Sequence, residues 1–91
     1  MKYRSRNEII CEILNTCLEP RTKTRIMYNA YLSYTQVQEY VEHCLVNNLI
    51  ENQSKTYLIT EKGKEFLDLQ NKIESMATRK TLSQSGKGEQ N

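Results

Sequence analysis

Two groups of side chains carry the chemistry this sequence offers. Tyr34, Thr35, Gln36 and Gln38 crowd one short stretch. A glutamine amide donates and accepts along one edge, which matches the N6/N7 edge of adenine. A threonine methyl can meet a thymine methyl, and a tyrosine hydroxyl can hold a phosphate. Just upstream lie Arg21, Lys23 and Arg25, clustered cations suited to phosphate oxygens. Lys55 is one further cation, alone in the polar run Glu51–Lys55.

Other chemistries lack their parts. His43 is the only histidine, and Cys11, Cys17 and Cys44 have no C-x-x-C spacing, so no metal site is expected. Glu39 and Glu42 share one helix face with nothing to shield them, and an unshielded pair cannot raise one pKa for acid catalysis. There is no glycine-rich phosphate loop and no nucleophile motif. The expectation is therefore a protein without catalysis, cofactor or small-molecule substrate.

The elements that must position the two groups are legible from spacing. Ser33 and Gln36 form an S-x-x-Q capping box, after which Val37, Tyr40, Val41, Cys44 and Leu45 make one helical face. Asn47 and Asn48 should end that helix, because Asn tolerates the left-handed cap. Leu49-Ile50 and Thr56–Ile59 are β-rich and flank a polar run with turn chemistry, so a hairpin is predicted there. Upstream, Ser5 and Glu8 make a second capping box for a helix over about 5–18, with Ile9, Ile10, Ile13, Leu14 and Cys17 inward. Pro20 stops it. Residues 19–22 are a linker able to add a short third strand. A short helix over about 23–31 follows, with Ile26, Met27 and Ala30 inward, and only a tight break at Leu32 separates it from the next. Cys17 and Cys44 are expected in the core, Cys11 beside it, and the tyrosines as amphipathic packing residues.

Thr60 should cap a last helix over about 61–78, with Gly63 in its first turn marking a close backbone approach. Its apolar residues Phe66, Leu69, Ile73 and Met76 are spaced three, four and three, an a/d seam. Phe66 and Leu67 can cover the chain's own core. Ile73 and Met76 lie beyond it and point to a partner helix. Residues 79–91 are polar and read as a disordered tail.

The whole is mainly α with a small β-hairpin (α+β): a winged helix-turn-helix over 1–60, a long C-terminal dimerisation helix over 61–78 and the tail. Ninety-one residues hold one core. No apolar run spans a membrane, and the odd cysteine count fits reduced thiols, so a cytoplasmic protein is expected. The net charge of +2 says little, but its distribution is uneven. Lys2, Arg4, Arg6, Arg21, Lys23 and Arg25 crowd the first part, whereas Glu39, Glu42 and Glu51 face only Lys55 over 26–60.

The sequence Arg6-x-x-Ile9-Ile10-x-x-Ile13-Leu14, Lys23-Thr24-x-Ile26-Met27-Tyr28, Leu32-Ser33-Tyr34-x-Gln36, Leu49-Ile50, Tyr57-x-x-Thr60-x-x-Gly63, Phe66-Leu67 resembles archaeal winged helix-turn-helix proteins over residues 4 to about 76. Among these are small dimeric, chromatin-associated DNA-binding proteins whose C-terminal helices pair as an antiparallel coiled coil, and transcription regulators. The resemblance implies a nucleoid-associated homodimer on double-stranded DNA. It implies contacts from Lys23 and Thr24, from Ser33 to Gln36, and from the wing near Ser54 and Lys55, with Phe66, Leu69, Ile73 and Met76 at the dimer seam. The alternative is a winged-helix protein-interaction module without DNA binding, which acidic Glu39 and Glu42 would suit.

Overall fold

A computed structural model of the chain describes residues 4–82, so Lys2 of the basic group and residues 83–91 of the expected tail lie outside the described residues. Helix α1 (Arg6–Thr16) opens on Ser5. The Ser5 hydroxyl accepts from the Glu8 N–H while the Glu8 carboxylate accepts from the Ser5 N–H, the predicted reciprocal cap. Ile9, Ile10, Ile13 and Leu14 form its buried stripe, and Cys17 closes it as a buried cap.

The linker does add a strand-like bridge. Arg21 and Tyr57 exchange both backbone hydrogen bonds, at 3.0 and 2.7 Å. Helix α2 (Lys23–Asn29) is capped by Thr22 and stops two residues short of the expected end. Tyr31 there takes φ 54°, and the Leu32 N–H reaches back to the Met27 carbonyl. Helix α3 (Tyr34–Val46) has both predicted ends: the Ser33/Gln36 box at its start and Asn47 as its C-cap. Asn48 then takes φ 61°, its N–H donates to Leu45, and the Leu49 N–H donates to Cys44, a Schellman closure with Asn in the left-handed position.

Strands β1 (Ile50–Gln53) and β2 (Thr56–Ile59) pair antiparallel with Ile50 opposite Ile59 and Gln53 opposite Thr56. Most of the polar run thus belongs to a strand, leaving only Ser54-Lys55 as the turn. Ser54 takes φ 62°, as a tight hairpin turn requires. Helix α4 (Glu61–Leu82) follows at once and runs four residues past Thr78, into the stretch expected as tail.

Thr60 does cap α4, its hydroxyl accepting from the Gly63 N–H at 3.0 Å. A Cβ on Gly63 would fall on the Leu49 carbonyl oxygen and 2.7 Å from Ile59 Cγ1, so the expected close approach is between the start of α4 and the root of the hairpin.

One apolar core holds these elements. Ile13, Leu14, Ile26, Val37, Cys17 and Cys44 are its most deeply buried side chains, with Leu49, Ile50, Ile59 and Leu67 around them. Phe66 packs partly against it. Cys11 is half-buried, as expected. The tyrosines divide: Tyr40 and Tyr57 pack on the core, but Tyr28, Tyr31 and Tyr34 face solvent. For these three the expectation of packing fails, because they surround the reversal of the chain at Tyr31 and share no single helix.

Candidate nucleic-acid interface

The two chemical groups of the sequence meet where α2 and α3 begin. Thr22 holds the front of α2 by accepting from the Arg25 N–H at 3.2 Å. That cap sets Lys23 half-buried against the domain and leaves Thr24 and Arg25 exposed. From α3, Tyr34, Thr35 and Gln38 are exposed. The junction is direct: Lys23 Nζ donates to Gln38 Oε1 at 3.0 Å. An ammonium and an amide from two helices therefore share one surface, a juxtaposition that groups an anion-binding cation with a base-reading side chain.

Other expected site residues are less available. Ser33 and Gln36 hold each other: the Gln36 N–H donates to the Ser33 hydroxyl at 3.1 Å, and the Ser33 N–H donates to Gln36 Oε1 at 2.9 Å. Gln36 keeps its amide N–H groups for other partners, but its oxygen is engaged. Arg21 lies 3.3 Å from the Glu19 carboxylate, an exposed pair that contributes little to stability and offsets the charge of Arg21. Lys55 stands exposed at the turn of the hairpin. Glu39 and Glu42 are exposed on α3, so the helix is cationic only through its neighbours.

The amino-terminal arginines serve the scaffold. Arg4 pairs with Glu12 and donates to the Tyr31 carbonyl at 3.3 Å. Arg6 lies over the Tyr40 ring, 5.6 Å from its centroid, and 3.4 Å from His43 Nδ1. Both tie α1 to the helix-turn-helix. Sequence spacing gives no signal for this, because those partners lie 27 and 37 residues away.

Leu69, Ile73 and Met76 are exposed along α4, while Phe66 is half-buried at its root. Beside them, Arg4, Glu8, Cys11, Glu12 and Glu74 line an open cleft between α1 and α4. Burial raises the Cys11 thiol pKa, and Glu74, Glu12 and Glu8 raise it further. Among the described residues no group of His, Cys, Asp and Glu is arranged to hold a metal ion, and no helix is long and apolar enough to cross a membrane.

Comparison with known proteins gives one consistent fold. Residues 3–78 match the winged helix-turn-helix family. An uncharacterised protein of Methanocaldococcus jannaschii is 36% identical over 64 residues, covering 69% of this chain; the match spans 66% of that protein, just under two thirds of its length. The crystal structure of Sso10a-2, a DNA-binding protein from Sulfolobus solfataricus, superposes with a TM-score of 0.63 at 24% identity, over 91% of this chain and 100% of that one.

Proposed function

The chain belongs to the winged helix-turn-helix family, and from that premise we propose that it binds double-stranded DNA without catalysing a reaction, with α3 in the major groove. The observation that carries this reading is the Lys23–Gln38 contact at 3.0 Å. On DNA, Lys23 turns to a phosphate, and the released Gln38 amide is free to bond the N6/N7 edge of adenine. Thr24, Arg25 and Arg21 add phosphate contacts, Tyr34 and Thr35 meet backbone and thymine methyls, and Lys55 brings the wing to the duplex. Sso10a-2, which shares the fold, is described as a DNA-binding protein.

The exposed residues of α4 complete the reading. Leu69, Ile73 and Met76, with Phe66 at the root, bury against the same helix of a second copy running antiparallel. A helix of 22 residues is about 33 Å long. Adjacent major grooves on one face recur about every 34 Å, so the dimer suits a two-fold site with half-sites about one turn apart. The role is that of a transcription regulator or chromatin-associated protein on the nucleoid.

A gel-shift titration of the full chain on duplex DNA at two salt concentrations tests this. Affinity should fall steeply with salt, and Lys23→Ala should weaken all sequences alike while lowering the salt slope by about one. Salt-independent or absent binding overturns it. That outcome would favour the second reading, a protein-interaction module, for which the exposed Glu39 and Glu42 speak. Enrichment of a motif from a random duplex pool would mark a regulator; salt-sensitive binding without a motif would mark a chromatin protein.

A further inference from the structure

The duplex reading uses Tyr34 and leaves two neighbouring rings without a task. Tyr28, Tyr31 and Tyr34 are 66%, 84% and 67% exposed. They line one turn: Tyr28 near the end of α2, Tyr31 between the helices, Tyr34 at the first position of α3. The Tyr31 N–H donates to the Tyr28 carbonyl at 3.3 Å, a closure that holds such Cα atoms within about 7 Å. Tyr34 follows Tyr31 by at most about 10 Å of extended chain.

An aromatic residue at Tyr31 is unfavourable twice over. Its φ of 54° strains a bulky L-residue, and its ring is left in water. A tyrosine hydroxyl bound to phosphate needs only the tip of a ring, which a smaller polar side chain supplies with less strain. Three exposed ring faces suit flat partners instead.

Charge narrows the partner. No acidic residue stands between Glu19 and Glu39, whereas Arg21, Lys23 and Arg25 do. Arg4, itself paired with Glu12, also reaches the Tyr31 carbonyl. Flat and anionic together describe a strand with unpaired bases.

We propose that Tyr28, Tyr31 and Tyr34 form a stacking platform for unpaired nucleobases, so that this turn binds single-stranded nucleic acid as well as the flank of a duplex. The proposal rests on the DNA-binding reading above, because Lys23 and Arg25 serve the phosphates in both modes. Rings take bases one after another with little sequence preference, since every base has a π face.

The chain has six tyrosines and no tryptophan, so its own tyrosine emission reports stacking. The full chain is titrated with oligo(dU) and oligo(U) of equal length, and with duplex DNA as a third arm. Quenching by either strand supports the platform, and the pair shows whether deoxyribose or ribose is preferred. Read by the anisotropy of a fluorescently labelled oligonucleotide, Tyr28→Ser combined with Tyr31→Asn should weaken single-strand binding about tenfold or more, with duplex affinity unchanged. It should not lower the thermal midpoint, because Asn tolerates the left-handed region.

By the same anisotropy, which does not depend on the protein's own emission, Tyr28→Phe with Tyr31→Phe should keep single-strand binding within about twofold, as stacking needs the ring and not the hydroxyl. Salt-sensitive duplex binding without quenching by either strand overturns the platform alone, as does full loss in the Phe variant. If no arm binds, the DNA-binding reading fails first and the platform with it.

Discussion

Lys23 and Gln38 are 15 residues apart in sequence and 3.0 Å apart in space. Both were legible as candidate DNA contacts from their chemistry, but their pairing was not, since it depends on how α2 crosses α3. If the pair acts as one unit on DNA, Lys23→Ala and Gln38→Ala should be non-additive in duplex affinity by about 0.5 kcal/mol or more. Additive losses would mean that the two side chains work separately. The cysteines were read correctly from helical position alone. Burial pushes the Cys17 thiol up to about 11 against a smaller lowering from Arg21, and burial with help from Cys17 pushes Cys44 up to about 12. An alkylating reagent near pH 8 should therefore label Cys11 in the native protein and all three after denaturation, read by mass spectrometry. The same shifts carry a sign. An unfolded thiol gives up its proton near 9, whereas the buried ones hold theirs until about 11 and 12. Their contribution is fully present below pH 9 and is lost as pH rises through that window, so the urea midpoint should fall there.

At the scale of elements, caps and stops were the most readable features. The two serine boxes, Thr60 and Asn48 all act within a few residues of themselves, so their partners lie inside any short stretch of sequence. The hairpin and the bounds of β2 are legible in the sequence, whereas β1 runs further than its apolar start indicates. Glu51, Asn52 and Gln53 have weak strand preference, and what makes them a strand is pairing with Leu58, Tyr57 and Thr56. The end of α2 was misplaced for a related reason: the reversal at Tyr31 uses a residue type that rarely takes positive φ, so no local signal marks it. Gly63 marks a close backbone approach in the sequence, and the fold shows its partners. A methyl group there would collide with the Leu49 carbonyl and Ile59. Gly63→Ala should cost about 2 kcal/mol or more despite the better helix propensity of alanine, seen as a lowered urea midpoint. A rise in the midpoint would mean that the backbone yields there.

For the molecule as a whole, the sequence made the winged helix and its long last helix legible, because both follow from periodicity and stops. It did not reveal where the charge is free to act, since Arg4 and Arg6 are taken up by Tyr31, Tyr40 and His43, partners that only the fold supplies. The exposed Leu69, Ile73 and Met76 bear on assembly. If they bury against a second copy, Ile73→Glu with Met76→Glu should give a folded monomer of unchanged secondary structure by sedimentation and circular dichroism. A parent chain that already sediments as a monomer at micromolar concentration removes the dimer. One joint bears on how such a seam is presented. Thr60 is the sole residue between β2 and α4. Its N–H donates to Leu49, its hydroxyl donates to Asn48 at 2.6 Å, and the same hydroxyl receives the Gly63 N–H. Mechanically, α4 is a cantilever of about 33 Å clamped at this point. A tilt of ten degrees at the clamp swings the free end by roughly 6 Å, about one full turn of helix. Stiffness at a single threonine thus governs the angular tolerance with which everything at the far end of the lever can be met.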